Sequence, residues 1–218
     1  ETTRPGSKGI SVKLELERLL PVITKLTKEF DIPISVDTYK PEVASVVLQE
    51  GVSVINDISG LGAGYKMANV IARHKAGVVL MHMKGTPETM QNKPYYKDVC
   101  AEVLNFLSSR IMLAEEAGID FESIAIDPGI GFGKTLTHNV DLITKLDQLK
   151  VLGKQILLGV SRKSFIGDIL NLESAERLEG SIAAGIVGII NGANILRVHD
   201  VGSTMRAVRV VKALRKRI

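Results

Sequence analysis

The residues of this chain that could do chemistry stand at the carboxyl ends of short apolar runs. IPISV ends at Asp37, VSVI at Asn56 and Asp57, and VVLM at His82. SIAI ends at Asp127, ILLGV at Ser161 and Arg162, and ANILRV at His199 and Asp200. In DPGIGFGKT (Asp127 to Thr135) the carboxylate opens a glycine-dense stretch that imitates two nucleotide loops and fits neither. A Walker loop needs Gly where Pro128 stands, and the dinucleotide fingerprint needs Gly where Lys134 stands. One reading is a turn whose glycines supply unusual dihedrals. The other is the floor of a flat ligand, with Asp127 accepting from two adjacent N–H donors on a ring edge, as an aminopyrimidinone presents.

GVSRKSFIG (Gly159 to Gly167) leads from a strand end towards a short helix. Lys163 there suits a Schiff-base nucleophile, a surface cation or a hydrogen-bond donor to a ring. Ser164 falls near the helix start, where free N–H groups favour a carboxylate or phosphate. Arg162 reads as an ion-pair partner. ILRVHDVG puts Arg197 and His199 two apart, hence on one side of a strand. Such a pair suits an anionic leaving group. His74, His82, His138 and His199 have no compact ligand spacing, which argues against zinc.

Elements that would position these residues follow from the apolar pattern. A helix is predicted over 10–29, from the spacing of Leu14, Leu19, Ile23 and Leu26. Strands are predicted near 32–37, 52–56, 77–82, 123–127, 155–160 and 194–198. Helices are predicted near 41–50, 65–75, 96–117, 138–147, 174–191 and 203–217. Strand–helix alternation builds a parallel sheet, with its polar strand ends gathered at one rim. The reading is an α/β fold, a (β/α)8 barrel that lacks its first strand–helix–strand in this chain; a six-stranded open sheet is the alternative. Without a composition break, residues 1–218 read as one domain.

Composition narrows the partners. At 218 residues, 45% hydrophobic and 24% charged, the chain is ordinary for a globular protein. Aromatics are 4% with no Trp, too few for the stacking platforms of a single-strand nucleic-acid surface. The net charge of +4 gathers in VRVVKALRKRI, a solvated helix face. Cys100, the lone cysteine, excludes an intrachain disulfide and agrees with a reducing, cytoplasmic setting. SIAAGIVGIINGANILRV reads as helix, turn and strand rather than a membrane span. Neither nucleic acid nor membrane is expected as a partner.

Taken together and in order, ETTRPG, ISVDTYKPEVA, INDISG, MHMKGTPETMQ, DPGIGFGK, GVSRKSFIG and LRVHDV resemble the dihydropteroate synthase family. The resemblance runs from Glu1 to the final helix. It implies a (β/α)8 barrel and the condensation of 6-hydroxymethyl-7,8-dihydropterin diphosphate with 4-aminobenzoate, yielding 7,8-dihydropteroate and pyrophosphate in folate biosynthesis. By motif, the pterin residues would be Asp37, Asn56, Met81, Asp127, Phe132, Gly159, Lys163 and Arg197. Arg4, Arg197 and His199 would bind the diphosphate, and Thr3, Pro5, Lys163 and Ser164 the 4-aminobenzoate. Asp37, Lys163, Arg197 and His199 would carry catalysis. The resemblance also implies Mg²⁺, with its expected ligand upstream of Glu1 and none in this chain, a homodimer, and sulfonamides as inhibitors. A pterin-dependent methyltransferase domain would share the barrel and carboxylates but leave TRPG, RKSF and the Arg–His pair unexplained. A non-catalytic, ligand-binding fragment is the other rival.

Overall fold

A computed structural model describes residues 2–4 and 6–215. Helix α1 (Val12–Glu29) comes first, and six strand–helix units follow it. They are β1 (Ser35–Asp37) with α2 (Pro41–Gln49), β2 (Val54–Asp57) with α3 (Tyr65–Arg73), and β3 (Gly77–Met81) with α4 (Val99–Glu116). β4 (Ile124–Asp127) with α5 (Leu136–Thr144), β5 (Gln155–Leu158) with α6 (Ser164–Leu170) and α7 (Leu178–Ile190), and β6 (Ile195–Leu196) with α8 (Val201–Arg215) complete the order.

Local chemistry sets the element limits. Ser11 caps α1 by accepting the Leu14 N–H, and Pro41 occupies the first turn of α2, where its missing N–H costs nothing. Asp98 accepts the N–H groups of Cys100 and Ala101, so α4 starts at Val99 rather than the predicted 96. The helix predicted over 174–191 starts at Leu178, after a separate 3-10 turn at Ser174–Glu176. The last strand is shorter than predicted, yet the Arg197 N–H still donates to Leu158 O and extends the ladder by one residue.

All strand pairs are parallel, and the strands lie side by side in sequence order. A doubly wound open sheet instead reverses its order at a switch point. The two edges of this sheet also approach one another. Arg197, just past β6, donates from Nη2 to Asp37 Oδ2 of β1 at 2.8 Å, across 160 positions of sequence. The sheet is therefore curled as a barrel wall is.

Side chains of a strand alternate between faces. Val36, Ile55, Val78, Leu80, Ile124, Ile126, Ile156 and Leu158 belong to the core packed under the helices. The register pairs Asp37 with Asn56, Asn56 with Val79, and Met81 with Asp127. These residues have the opposite parity, so they face the inside of the curl. Gly159 and Arg197 continue that parity past β5 and β6. The pattern that buries the core thus delivers the polar strand ends to one concave face.

Candidate functional site at the carboxyl ends of the strands

Asp127 is the centre of the inner face. It is buried, and its Oδ1 accepts the Gly129 N–H at 2.7 Å. Burial raises its pKa above the ordinary carboxyl value, opposed by Lys163, the Gly129 N–H, Lys134 and Arg197. The turn that supplies this N–H depends on glycine at 129. Its φ is +69°, and a Cβ there would strike the His82 carbonyl oxygen.

Lys163 reaches back over that turn. Its Nζ donates to Ile130 O and lies 4.8 Å from the centroid of the Phe132 ring. Burial lowers its pKa to about 8, with Asp127 acting in the opposite direction and Arg197 adding to the fall. Gly159 lies between two cations: a Cβ there would meet Lys163 Nζ at 3.8 Å and Arg197 Cβ at 3.9 Å. Glycine therefore leaves an open strip of backbone between them.

On the opposite wall, Asp37 binds two partners. Oδ1 accepts from Asn56 Nδ2 at 2.9 Å and Oδ2 from Arg197. That leaves Asn56 Oδ1 buried without a hydrogen-bond partner. A buried acceptor with no donor is rare in a native fold, and a ligand N–H is the natural complement. Met81 is buried beside Asp127 in register. Thus Asp37, Asn56, Met81, Asp127, Phe132, Gly159, Lys163 and Arg197 lie on one face.

His199 is held separately. Ser161 Oγ accepts the His199 backbone N–H at 3.2 Å and lies 2.9 Å from Nδ1 of the same residue. The contact anchors the ring at Nδ1, with the donor and acceptor roles set by the tautomer. Arg162 forms a bidentate pair with Asp200, at 3.0 and 2.8 Å, which is the structural role predicted for it.

Other predicted residues lie outside this cluster. Ser164 is exposed in the first turn of α6. The loop bearing Thr3 and Arg4 is tied to the loop after β3, where the Gly6 N–H donates to Pro87 O at 2.9 Å. No hydrogen bond among the described residues joins Thr3 or Arg4 to Asp127 or Lys163. Pro5 lies outside the described residues.

Sequence reasoning gave no role to Lys134 or Ser161. Lys134 is buried, with Nζ 3.0 Å from His82 Nδ1, 3.3 Å from His82 O and 3.0 Å from Phe132 O. Its only sequence signal was a lysine where a nucleotide fingerprint wants glycine. Among the described residues no group of three or more His, Cys, Asp or Glu could hold a metal ion. No helix among the described residues is long and apolar enough to cross a membrane.

A parallel, curled sheet with buried polar side chains and cations at its strand ends defines a (β/α)8-type enzyme site. The model of the pterin binding enzyme family matches residues 1–199. The dihydropteroate synthase of Synechocystis sp. is 46% identical over 215 residues, covering 98% of this chain and 74% of that protein. The Yersinia pestis dihydropteroate synthase, solved with a sulfonamide drug, superimposes with a TM-score of 0.95 at 39% identity. It is covered to 78%, and this chain to 99%. The Xanthomonas albilineans dihydropteroate synthase with 4-aminobenzoic acid gives 0.93 at 42% identity, with coverages of 77% and 99%. The chain belongs to the dihydropteroate synthase family, the pterin-binding transferases of folate synthesis. Its six strands are part of that (β/α)8 barrel.

Proposed function

We propose that this rim carries out the family's condensation of 6-hydroxymethyl-7,8-dihydropterin diphosphate with 4-aminobenzoate, and that residues 1–218 act as one pterin-binding domain. The observation that carries the reading is the convergence of Asp127, Lys163 and the unpartnered Asn56 Oδ1 beside Arg197. Asp127 accepts the two adjacent N–H groups of the aminopyrimidinone edge. Asn56 Oδ1 accepts a third ring N–H. Lys163 donates to ring acceptors, Phe132 and Met81 wall the slot, and the open backbone of Gly159 lets the ring lie flat.

At the methylene carbon the C–O bond to diphosphate breaks and a C–N bond to the aniline nitrogen forms. That nitrogen then releases one proton to water. The electron-rich dihydropterin spreads positive charge as the leaving group departs. Asp37 is the anion nearest that charge, and Arg197, His199 and Arg4 hold the departing diphosphate. Thr3, Pro5, Lys163 and Ser164 receive the 4-aminobenzoate. An arylamine is already nucleophilic, so Lys163 binds and does not attack. Mg²⁺, when bound, would neutralise diphosphate charge.

The setting is cytoplasmic, consistent with a single free, buried Cys100. The active form is a homodimer joined through α7 and α8, which expose Val187, Ile190, Val201, Val210 and Leu214. Light scattering tests the dimer; a monomer at all concentrations refutes it. Pyrophosphate release tests the reaction. Release should require both the dihydropterin diphosphate and 4-aminobenzoate, with dihydropteroate formed in equal amount. No dihydropteroate with both present would overturn the assignment.

A further inference from the structure

We propose that Lys134 is a positioning residue of the pterin floor: a buried ammonium that locks the loop after β4 onto the end of β3 and gives Asp127 a second fixed countercharge. The inference rests on the reading above in taking Asp127 as the pterin acceptor.

Three observations support it. First, Nζ donates to His82 O and Phe132 O and lies 3.0 Å from His82 Nδ1, which would accept from the ammonium and complete its three bonds. Second, none of these is a carboxylate, so the charge is not neutralised where it is hydrogen-bonded. Third, Asp127 and Lys134 flank the same residue. Gly129 donates its N–H to Asp127, and a Cβ on Gly129 would lie 3.4 Å from Lys134 Nζ. Burying an ammonium without a paired carboxylate is costly, and it is retained here at the one loop that carries both Asp127 and Phe132. The same loop is stitched to its neighbour by Tyr96 Oη donating to Gly133 O and Gln91 Nε2 to Gly131 O, both at 2.8 Å. Those bonds are neutral and hold the backbone, whereas Lys134, like Lys163 at Ile130 O, adds charge.

The groups involved come from several elements. Asp127 faces Lys163 before α6, Lys134 in its own loop and Arg197 past β6. Lys134 faces Asp127, Lys163, and Lys84 and His82 of the loop after β3. Removing Lys134 charge must raise the Asp127 pKa further, so pterin affinity should fail at a higher pH on its acid side.

The test is carbon-detected NMR titration of the Asp127 carboxyl in the whole chain, with calorimetry of a dihydropterin across pH. In Lys134→Gln the Asp127 midpoint should rise by about one unit or more, and the acid limb of pterin affinity should move with it. Lys134→Arg, which keeps the charge, should leave the midpoint near wild type. Equal shifts in both variants, or none in Lys134→Gln, overturn the proposal. If Lys134→Gln does not fold, the wild type decides. Its Asp127 carboxyl signal should show a second inflection as Lys134, lowered to about 7 chiefly by burial, loses its proton. A Lys134 that titrates without that inflection refutes the coupling. The carboxyl titration needs no ligand. A wild type that binds no dihydropterin therefore overturns the pterin role, while the Asp127 midpoint still decides the electrostatic one.

Discussion

Asp127→Asn leaves the shape of the pocket intact, so its effect isolates charge and hydrogen-bond polarity. The Gly129 N–H points at Oδ1 from 2.7 Å, and only an oxygen can accept it. The Asn amide must therefore turn its oxygen towards Gly129 and its NH₂ into the pocket. There it confronts a ring edge that also donates. A charge-assisted hydrogen bond, about 1.5–3 kcal/mol, is lost. The ring N–H left unpaired in a buried site costs roughly another 1–3 kcal/mol. Together these weaken pterin binding by about 2.5–6 kcal/mol, or roughly seventy- to twenty-five-thousand-fold. Calorimetric titration with a dihydropterin measures this, with circular dichroism confirming the fold. Asp127 is also the anion that opposes the depression of Lys163, so the Lys163 midpoint should fall below its value of about 8. A loss of affinity under about tenfold in a folded variant would refute the role given to Asp127.

Lys163 should impose an alkaline limit on pterin affinity: its lowered pKa of about 8 means that the ammonium is present below that pH and lost above it. Affinity measured across pH should decline above about 8 in the wild type and show no such limb in Lys163→Met, and borohydride should trap no Lys163 adduct. Arg197→Ala should cost the fold less than about 1 kcal/mol, because the Arg197 side chain of the Asp37 pair is 56% exposed. It should nonetheless lower kcat/KM by on the order of a hundredfold or more, from losing a leaving-group cation; a variant with near-normal turnover would exclude Arg197 from the chemistry. Ser161→Ala should release the His199 ring from its Nδ1 contact and change its tautomer balance. Nitrogen NMR would read this directly, and ring nitrogen shifts unchanged from wild type would refute the anchoring role.

Strand ends were legible because a buried parallel strand needs an unbroken apolar run, and a charged residue can only terminate it. Asp37, Asn56 and Asp127 were readable for that reason. Their convergence followed from strand parity, without any knowledge of distances. Arg162 was legible as a structural ion pair because Asp200 stands at the matching end of the next strand. Lys134 was not. Nothing local marks a lysine as buried, and its partners at His82 lie 52 positions away on another strand end. Ser161 was visible as a strand end, but its role depends on the His199 backbone, a contact made only when β5 and β6 lie side by side. The substrate loop around Thr3 and Arg4 was recognisable only through family resemblance. Its contact with Pro87 is a backbone bond that side-chain identities do not specify.

Burial across the site follows the chemistry of the proposed substrates. Asp127 and Lys134 are almost fully buried, Lys163 and Asp37 are half-buried, and Arg197 and His199 are exposed. A neutral ring edge gains most where dielectric is low and water does not compete for its N–H groups. Diphosphate arrives hydrated and must leave again, so a deeply buried cation would hold the product too tightly. Arg197 meets both demands. Asp37 fixes its direction before any ligand arrives, while its exposure to water keeps the anion exchangeable. Two carboxylates, Asp37 and Asp127, stand against Lys163 and Arg197, and Arg4 and the protonated fraction of Lys134 add positive charge. That excess gives the mouth a net attraction for an anionic substrate. Lys134 is buried, so its share acts through the field rather than by contact with solvent-borne anions.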